Sequence, residues 1–274
     1  MKKIFFIDID GTILDHTRGM HHVSEKTKYA LKELNKDHHV YIASGRCRCL
    51  LAEEVLSLSC DGLLLDNGAF AENENGSLFS EVLSLRELEE IAAVCEKNGA
   101  VYYFETEEKI YTNGIGGKIH HDFNENWEIP EEIYSGEDYH GKEIHMVMIA
   151  CSSEEEKEKM QELLGGRFDC RTHHDFPSFD LSLYGMSKGR GVRRVLEKLC
   201  IRKEDAYAFG DGLNDLEMMQ EVGHGIAMAN AFPQIKEIAS EFTDDVLDDG
   251  LYRYLVRNHF IAPLDVETGK TVLE

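Results

Sequence analysis

The chain has 274 residues, more than one hydrophobic core usually holds, and 42% of them are apolar, so one large domain or two with a sizeable interior is expected. Fifty-two acidic residues against 29 basic ones give a formal charge of -23, a field that repels nucleic acid and anionic membrane and excludes both as expected partners. Seven cysteines, an odd number without a CxxC pair, argue against a disulfide framework or zinc knuckle. With no signal-peptide pattern and no apolar run of transmembrane length, a reducing cytoplasm fits.

Residues 4–7 form a continuous apolar run, the mark of a strand buried on both faces of a parallel sheet. A helix over 25–36 follows, with Ser24 as its cap, then a strand over 40–43, a helical stretch from Gly45 to about Leu58 and a strand over 62–65. This is a βαβαβ unit. The rhythm then changes: 101–112 reads as two strands turning near Glu107 and Glu108, 145–151 as a strand, 153–164 as a helix, and 168–183 as extended chain broken by Pro177. From Lys188 the alternation resumes, with a helix to Cys200, a strand over 206–209, a helix from Leu213, a strand over 225–228 and a helix after Pro233. The expected fold is therefore α/β, a Rossmann-like parallel sheet built from 1–82 and 184–274, with an α+β insertion over 83–183. No internal repeat or low-complexity tract interrupts it.

Asp8 and Asp10 directly follow the first buried strand, and Gly11 lets the chain turn, so both acids belong at the carboxyl end of the sheet, where open α/β folds bind ligands. Gly210, Asp211, Gly212, Asn214 and Asp215 repeat that arrangement after the strand over 206–209. One aspartate in either motif could simply cap a loop, but that does not account for two acids at two strand ends. If the strands are neighbours, Asp8, Asp10, Asp211 and Asp215 converge, and such a cluster calls for a cation; oxygen donors without His or Cys favour Mg²⁺. Ser44, Gly45 and Arg46 end the second strand and offer a hydroxyl and amides to phosphate oxygens. Lys188 opens a helix, a position that disfavours a cation unless it faces an anion.

In this order the segments Asp8-Ile9-Asp10-Gly11-Thr12, Ala43-Ser44-Gly45-Arg46, Lys188 and Gly210-Asp211-Gly212-Leu213-Asn214-Asp215 resemble the four motifs of the haloacid dehalogenase superfamily. The tail segments 225–231 and 248–251, and the large insertion, resemble its Cof-type phosphatases; Ala229 stands where that subgroup commonly has glycine. The resemblance implies a HAD-like core and an inserted cap that sets specificity. It also implies an Mg²⁺-dependent phosphatase for a small phosphorylated metabolite, a sugar phosphate, nucleotide or phosphorylated cofactor. Asp8 would be the nucleophile that forms an aspartyl phosphate, and Asp10 the acid and base. Asp8, Asp10, Asp211 and Asp215 would hold the metal, with Asp10 contributing its backbone carbonyl. Thr12, Ser44, Gly45, Lys188 and Asn214 would bind the phosphate.

A phosphomutase is the nearest alternative, since Asp10 suits both, and a phospho-accepting signalling domain or a non-catalytic phospho-ligand-binding regulator is more distant. The sequence leaves the physiological substrate and the oligomeric state open. The histidine pairs 21–22, 38–39, 120–121 and 173–174 do not read as metal sites, because adjacent side chains point apart; His120 and His121 are the ones placed to meet substrate. Glycine-rich 114–117 lacks the context of a dinucleotide fingerprint, and Cys47 and Cys49 flank Arg48 as oxidation-sensitive or inert packing residues.

Overall fold

The computed structural model describes residues 2–127, 129–173 and 176–264. The chain divides into two compact units, Met1–Gly45 with Ala52–Phe79 and Ser187–Glu274, and Arg46–Leu51 with Ser80–Met186. The first unit contains β1 (Ile4–Ile7), α1 (Glu25–Asp37), β2 (His39–Ala43), α2 (Glu53–Leu56), β3 (Gly62–Leu65), β4 (Phe70–Asn73) and, at its margin, β5 (Gly76–Ser80). The second contains α3 (Leu85–Asn98), β6 (Val101–Glu105), β7 (Ile110–Thr112), α4 (Lys118–Trp127), β8 (Tyr134–Ser135), β9 (Met146–Ala150), α5 (Glu154–Leu164), β10 (Phe168–Thr172) and β11 (Ser178–Leu183). The first then resumes with α6 (Lys188–Leu199), β12 (Ala206–Gly210), α7 (Leu216–Glu221), β13 (His224–Ala227), α8 (Pro233–Ile238), β14 (Glu241–Phe242) and α9 (Gly250–Arg257).

The sheet of the first unit has the order β14-β13-β12-β1-β2-β3-β4-β5, parallel from β14 to β3. All four residues of β1 are fully buried, as a central strand covered by helices on both faces requires. Ile4 and Phe6 pack with Tyr41, Ala208 and the α6 residues Val192 and Val195. Each such side chain removed from water contributes roughly 1.5–3 kcal/mol before chain entropy is counted. Register decides where the chemistry falls: Ile7 pairs with Phe209 on one side and Ile42 on the other, so Asp8, Gly210 and Ala43 leave the sheet at the same level.

The sheet of the second unit, β10-β11-β9-β6-β7-β8, is largely antiparallel. Tyr102, Phe104, Val147, Ile149 and Phe179 pack with residues of α3 and α5, while Val101, Tyr103 and Met148 pack with Phe123 of α4. The extended stretch expected over 168–183 is two strands, β10 and β11, and Pro177 directly precedes the second. Among the described residues no helix is long and apolar enough to cross a membrane.

Several elements depart from the sequence expectation. The helix expected from Gly45 to Leu58 is interrupted, with a single 3-10 turn at Arg48–Leu50 and α2 only at Glu53–Leu56. The backbone is extended at Cys47, and ψ is 145° at Ala52; Cys49 and Leu50 pack instead against the Tyr103 cluster of the second unit, where Cys49 donates to the Thr106 carbonyl. Strands β4 and β5 occupy a stretch with no assignment from sequence, although Asn75-Gly76 between them is a hairpin signal. Helices α3 and α4 were also absent from the expectation; α3 starts at a reciprocal Ser84/Glu87 capping box.

Candidate active site

The loop after β1 is built around the carbonyl of Ile9, which accepts from the amides of Thr12, Ile13 and Leu14 at 3.2, 2.9 and 3.0 Å. Gly11 closes it with φ +81°, and a side chain there would overlap the Asp211 carboxylate, so only glycine meets both demands. Asp8 is 5% exposed, whereas the Asp10 side chain is exposed to solvent. Thr12 is buried, and its hydroxyl, expected at the phosphate, donates to Asp211 Oδ1 at 3.2 Å.

Lys188 is the first residue of α6, whose cap Ser187 accepts from the Arg190 amide. A Cβ on the following Gly189 would collide with the backbone of Glu217, so glycine lets α6 approach α7 closely. The lysine is 1% exposed and its Nζ donates to Asp8 Oδ1 at 2.5 Å and Asp215 Oδ1 at 2.8 Å. The other oxygen of Asp215 accepts from the amides of Asp211 and Gly212, both at 3.1 Å. Asp215 thus locks the turn after β12 and holds the lysine with one carboxylate.

Burial, followed by the neighbouring Asp215 carboxylate, pushes the Asp8 carboxyl well above the usual carboxylate range against the pull of Lys188. The same two causes raise Asp211 to about 7, with Asp10 adding to the push and the Thr12 hydroxyl opposing it. Burial works to neutralise Lys188, but Asp215 and Asp8 outweigh it and hold the ammonium charged beyond its ordinary range. Asp8, Asp211 and Asp215 each present an oxygen within 4.8 Å of the others, a donor set that fits a hard divalent cation.

Ser44 follows β2, is 1% exposed and donates its amide to the Leu64 carbonyl at 2.8 Å; Gly45 and Asn214 are half-buried. Asn67 was not singled out from sequence. It is 3% exposed, follows β3 in the left-handed region as Asp66 does (φ 50° and 52°), and comes so close to Gly45 that a Cβ there would lie 3.1 Å from its Oδ1. Two consecutive non-glycine residues at positive φ cost about 1 kcal/mol or more each and are commonly kept where function repays the strain. The Asp66-Asn67-Gly68 triplet after an apolar strand was the available signal.

His120, expected from its place in the polar 113–126 segment to meet substrate, is 3% exposed, stacks on Tyr103 and shares a 3.2 Å hydrogen bond with its hydroxyl, so it is a packed residue. His39 and His173 pair with Asp61 and Asp180, and His174 lies outside the described residues. The sulfurs of Cys47 and Cys49 are 3.4 Å apart.

A parallel α/β sheet with a lysine held between carboxylates beyond the ends of its strands is an arrangement whose class is given by similarity to known proteins. A profile of the haloacid dehalogenase-like hydrolases matches residues 5–255, and the chain belongs to that family. It is 34% identical over 259 residues to "Putative phosphatase YkrA" of Bacillus subtilis (strain 168), covering 91% of this chain and 95% of that one. It is 27% identical over 252 residues to the 5-amino-6-(5-phospho-D-ribitylamino)uracil phosphatase YcsE of the same organism, covering 91% and 92%. Among solved structures, the subclass IIB sugar phosphatase BT4131 superposes with a TM-score of 0.76 at 25% identity, over 95% of this chain and all of that one. The protein is a phosphatase of this family, a phosphoric monoester hydrolase, and its family generally uses a divalent metal.

Proposed function

We propose that the protein is an Mg²⁺-dependent phosphatase that hydrolyses a small phosphorylated metabolite through an aspartyl phosphate on Asp8, in a reducing cytoplasm. The observation that carries this reading is the buried Lys188 ammonium held by both Asp8 and Asp215, with Asp211 alongside. A carboxylate approaching a phosphoryl group meets like charge: two unit charges 4 Å apart at an effective dielectric of 20 repel by about 4 kcal/mol. Lys188 offsets part of that. Asp8, Asp211 and Asp215, with the Asp10 carbonyl, would hold Mg²⁺, which when bound supplies the remaining positive charge.

In the first step an Asp8 oxygen bonds to phosphorus, the bond to the leaving oxygen breaks, and Asp10 donates its proton to that oxygen. In the second, Asp10 takes a proton from water, which attacks the aspartyl phosphate and releases inorganic phosphate with Asp8 regenerated. The exposure of the Asp10 side chain suits a group that must meet both leaving group and water. Lys188, Ser44 and Asn214 hold phosphoryl oxygens together with the amides around Thr12 and Gly45. Residues 83–183 act as the cap that selects the organic part of the substrate. Similarity to a phosphoribitylamino-uracil phosphatase and to a sugar phosphatase supports a sugar phosphate, nucleotide or phosphorylated cofactor.

The test is phosphate release from a metabolite panel and an aryl phosphate, with and without Mg²⁺, by the protein and by Asp8→Asn. The variant should stay folded and lose at least about 10³-fold in turnover, and acid quenching of the unaltered enzyme should trap phosphate on Asp8. Retained turnover in Asp8→Asn would overturn the mechanism.

A further inference from the structure

The short segment Arg46–Leu51 carries two cysteines whose side chains turn toward each other, with 3.4 Å between the sulfurs. The residue between them makes this possible. Arg48 opens the 3-10 turn Arg48–Leu50 directly after the extended Cys47. A helical residue holds the Cα atoms on either side of it roughly 5–5.5 Å apart, whereas an extended one spreads them to about 6.5–7 Å. A disulfide needs about 4.4–6.8 Å between Cα atoms and about 2.05 Å between sulfurs. The turn therefore supplies the backbone spacing, and rotation about the Cα–Cβ bonds is left to close the sulfurs. The turn is also anchored, since Cys49 and Leu50 pack against the Tyr103 cluster and Cys49 donates to the Thr106 carbonyl at 3.4 Å.

We infer that Cys47 and Cys49 form a reversible dithiol–disulfide pair that a hydroperoxide oxidises, with Cys49 the sulfur that reacts first and Cys47 the one that resolves it. Access divides the roles: Cys47 is 1% exposed, whereas Cys49 is half-buried. The hydrogen bond from Cys47 pulls the Cys49 thiol below its ordinary range against burial, while burial lifts the Cys95, Cys151 and Cys170 thiols above theirs. In the first step the Cys49 sulfur, its proton released, bonds to the terminal peroxide oxygen. The O–O bond breaks, the departing oxygen takes up the proton as water or an alcohol, and Cys49 becomes a sulfenic acid. In the second, the Cys47 sulfur displaces the hydroxyl from Cys49, which leaves with the Cys47 proton as water. Two thiols have lost two electrons to the peroxide, and two sulfurs are joined. A low-molecular-weight thiol returns the pair to its reduced form, so the bond is transient in a reducing compartment. Neither sulfur takes part in the hydrolysis proposed above, so loss of that activity and loss of this pair are separately observable.

The test treats the folded, full-length protein with a small molar excess of hydrogen peroxide, then unfolds it in acid, alkylates it and maps it by mass spectrometry. Cleavage after glutamate yields a peptide over 34–53 whose only cysteines are Cys47 and Cys49. That peptide should be two hydrogens lighter with neither sulfur alkylated, and dithiothreitol should restore both alkylation sites. Cys47→Ser should stop at a Cys49 sulfenic acid that dimedone captures, and Cys49→Ser should leave Cys47 a thiol that alkylates after unfolding. The unaltered protein carries the test even if a variant fails to fold. Both sulfurs still alkylated while the exposed Cys200 is oxidised would overturn the inference, as would a bond from either sulfur to a third cysteine. Dimedone captured by Cys47 in Cys49→Ser would overturn the assigned order.

Discussion

The two units bury titratable groups on opposite terms. In the first, Lys188 and Asp215 are sealed from solvent as a charged pair with Asp8, and burial, followed by the neighbouring Asp215 carboxylate, drives Asp8 and Asp211 upward. In the second, the Lys157 ammonium is buried as the partner of the exposed Glu154, but several groups are buried neutral: His145 is pulled down to about 4, the Cys151 thiol is raised to about 12, and the Tyr103 and Tyr134 hydroxyls are held well above their ordinary range. Neutral burial costs little when the groups pack or hydrogen-bond. Charged burial is expensive and persists where the charges do something that neutral groups cannot.

Removing Lys188 should break this contrast most sharply. Lys188→Met leaves Asp8 and Asp215 without their shared cation, and breaking a buried pair of this kind costs about 3–5 kcal/mol. Urea unfolding of the metal-free variant should show that loss, and phosphate release should fall by about 10³-fold. A loss of less than about 1 kcal/mol would mean that the first unit buries its charges no more expensively than the second buries its neutral groups.

The parts of this contrast that were legible in the sequence are those in which neighbours along the chain state their own environment. An apolar run such as Ile4–Ile7, ending in acids, announces both a buried strand and the chemistry at its end. Lys188 at a helix start is a weaker local sign, since a cation is disfavoured there unless it faces an anion. What could not be read depends on partners far apart in the chain. The Thr12 hydroxyl turns to Asp211, 199 positions away, and nothing around Asn230 points to Gly11. The course of Arg46–Leu51 was hidden for the same reason, because its apolar side chains find partners around Tyr103 and not in the helix that their spacing suggested. By contrast, Asn75-Gly76 and Ser84-x-x-Glu87 are local signals of the β4–β5 hairpin and of the start of α3.

A second, smaller test concerns the neutral histidine. His145 is 1% exposed, shares a 2.8 Å hydrogen bond with the Ser80 hydroxyl through Nε2, and titrates at about 4 in the folded protein because burial disfavours its charge. Its ordinary value of 6.5 applies to the unfolded chain. Between these values the unfolded state binds more protons, so stability rises with pH. The contribution is complete above pH 6.5 and is lost as pH falls toward 4, about 3 kcal/mol at most. Urea unfolding across that range, compared between the protein and His145→Gln, should give a steeper slope for the protein. Parallel slopes would mean that folding does not disfavour the charged imidazole, and that His145 is not one of the groups this unit buries neutral.

The smallest expected effect isolates the second unit from the chemistry altogether. Ser84 Oγ accepts from the Glu87 amide at 3.3 Å, and Glu87 Oε2 accepts from the Ser84 amide at 2.7 Å, so two otherwise orphaned donors at the start of α3 are satisfied reciprocally. Ser84→Ala removes one half of the box and should cost about 1 kcal/mol in urea unfolding. Because Leu88, Ile91 and Cys95 still bury the inner face of α3, the helix should persist and turnover should be unchanged. A loss of turnover from so local a change would show that the order of α3 is coupled to catalysis, and the separation between a unit that carries charge and one that carries packing would fail.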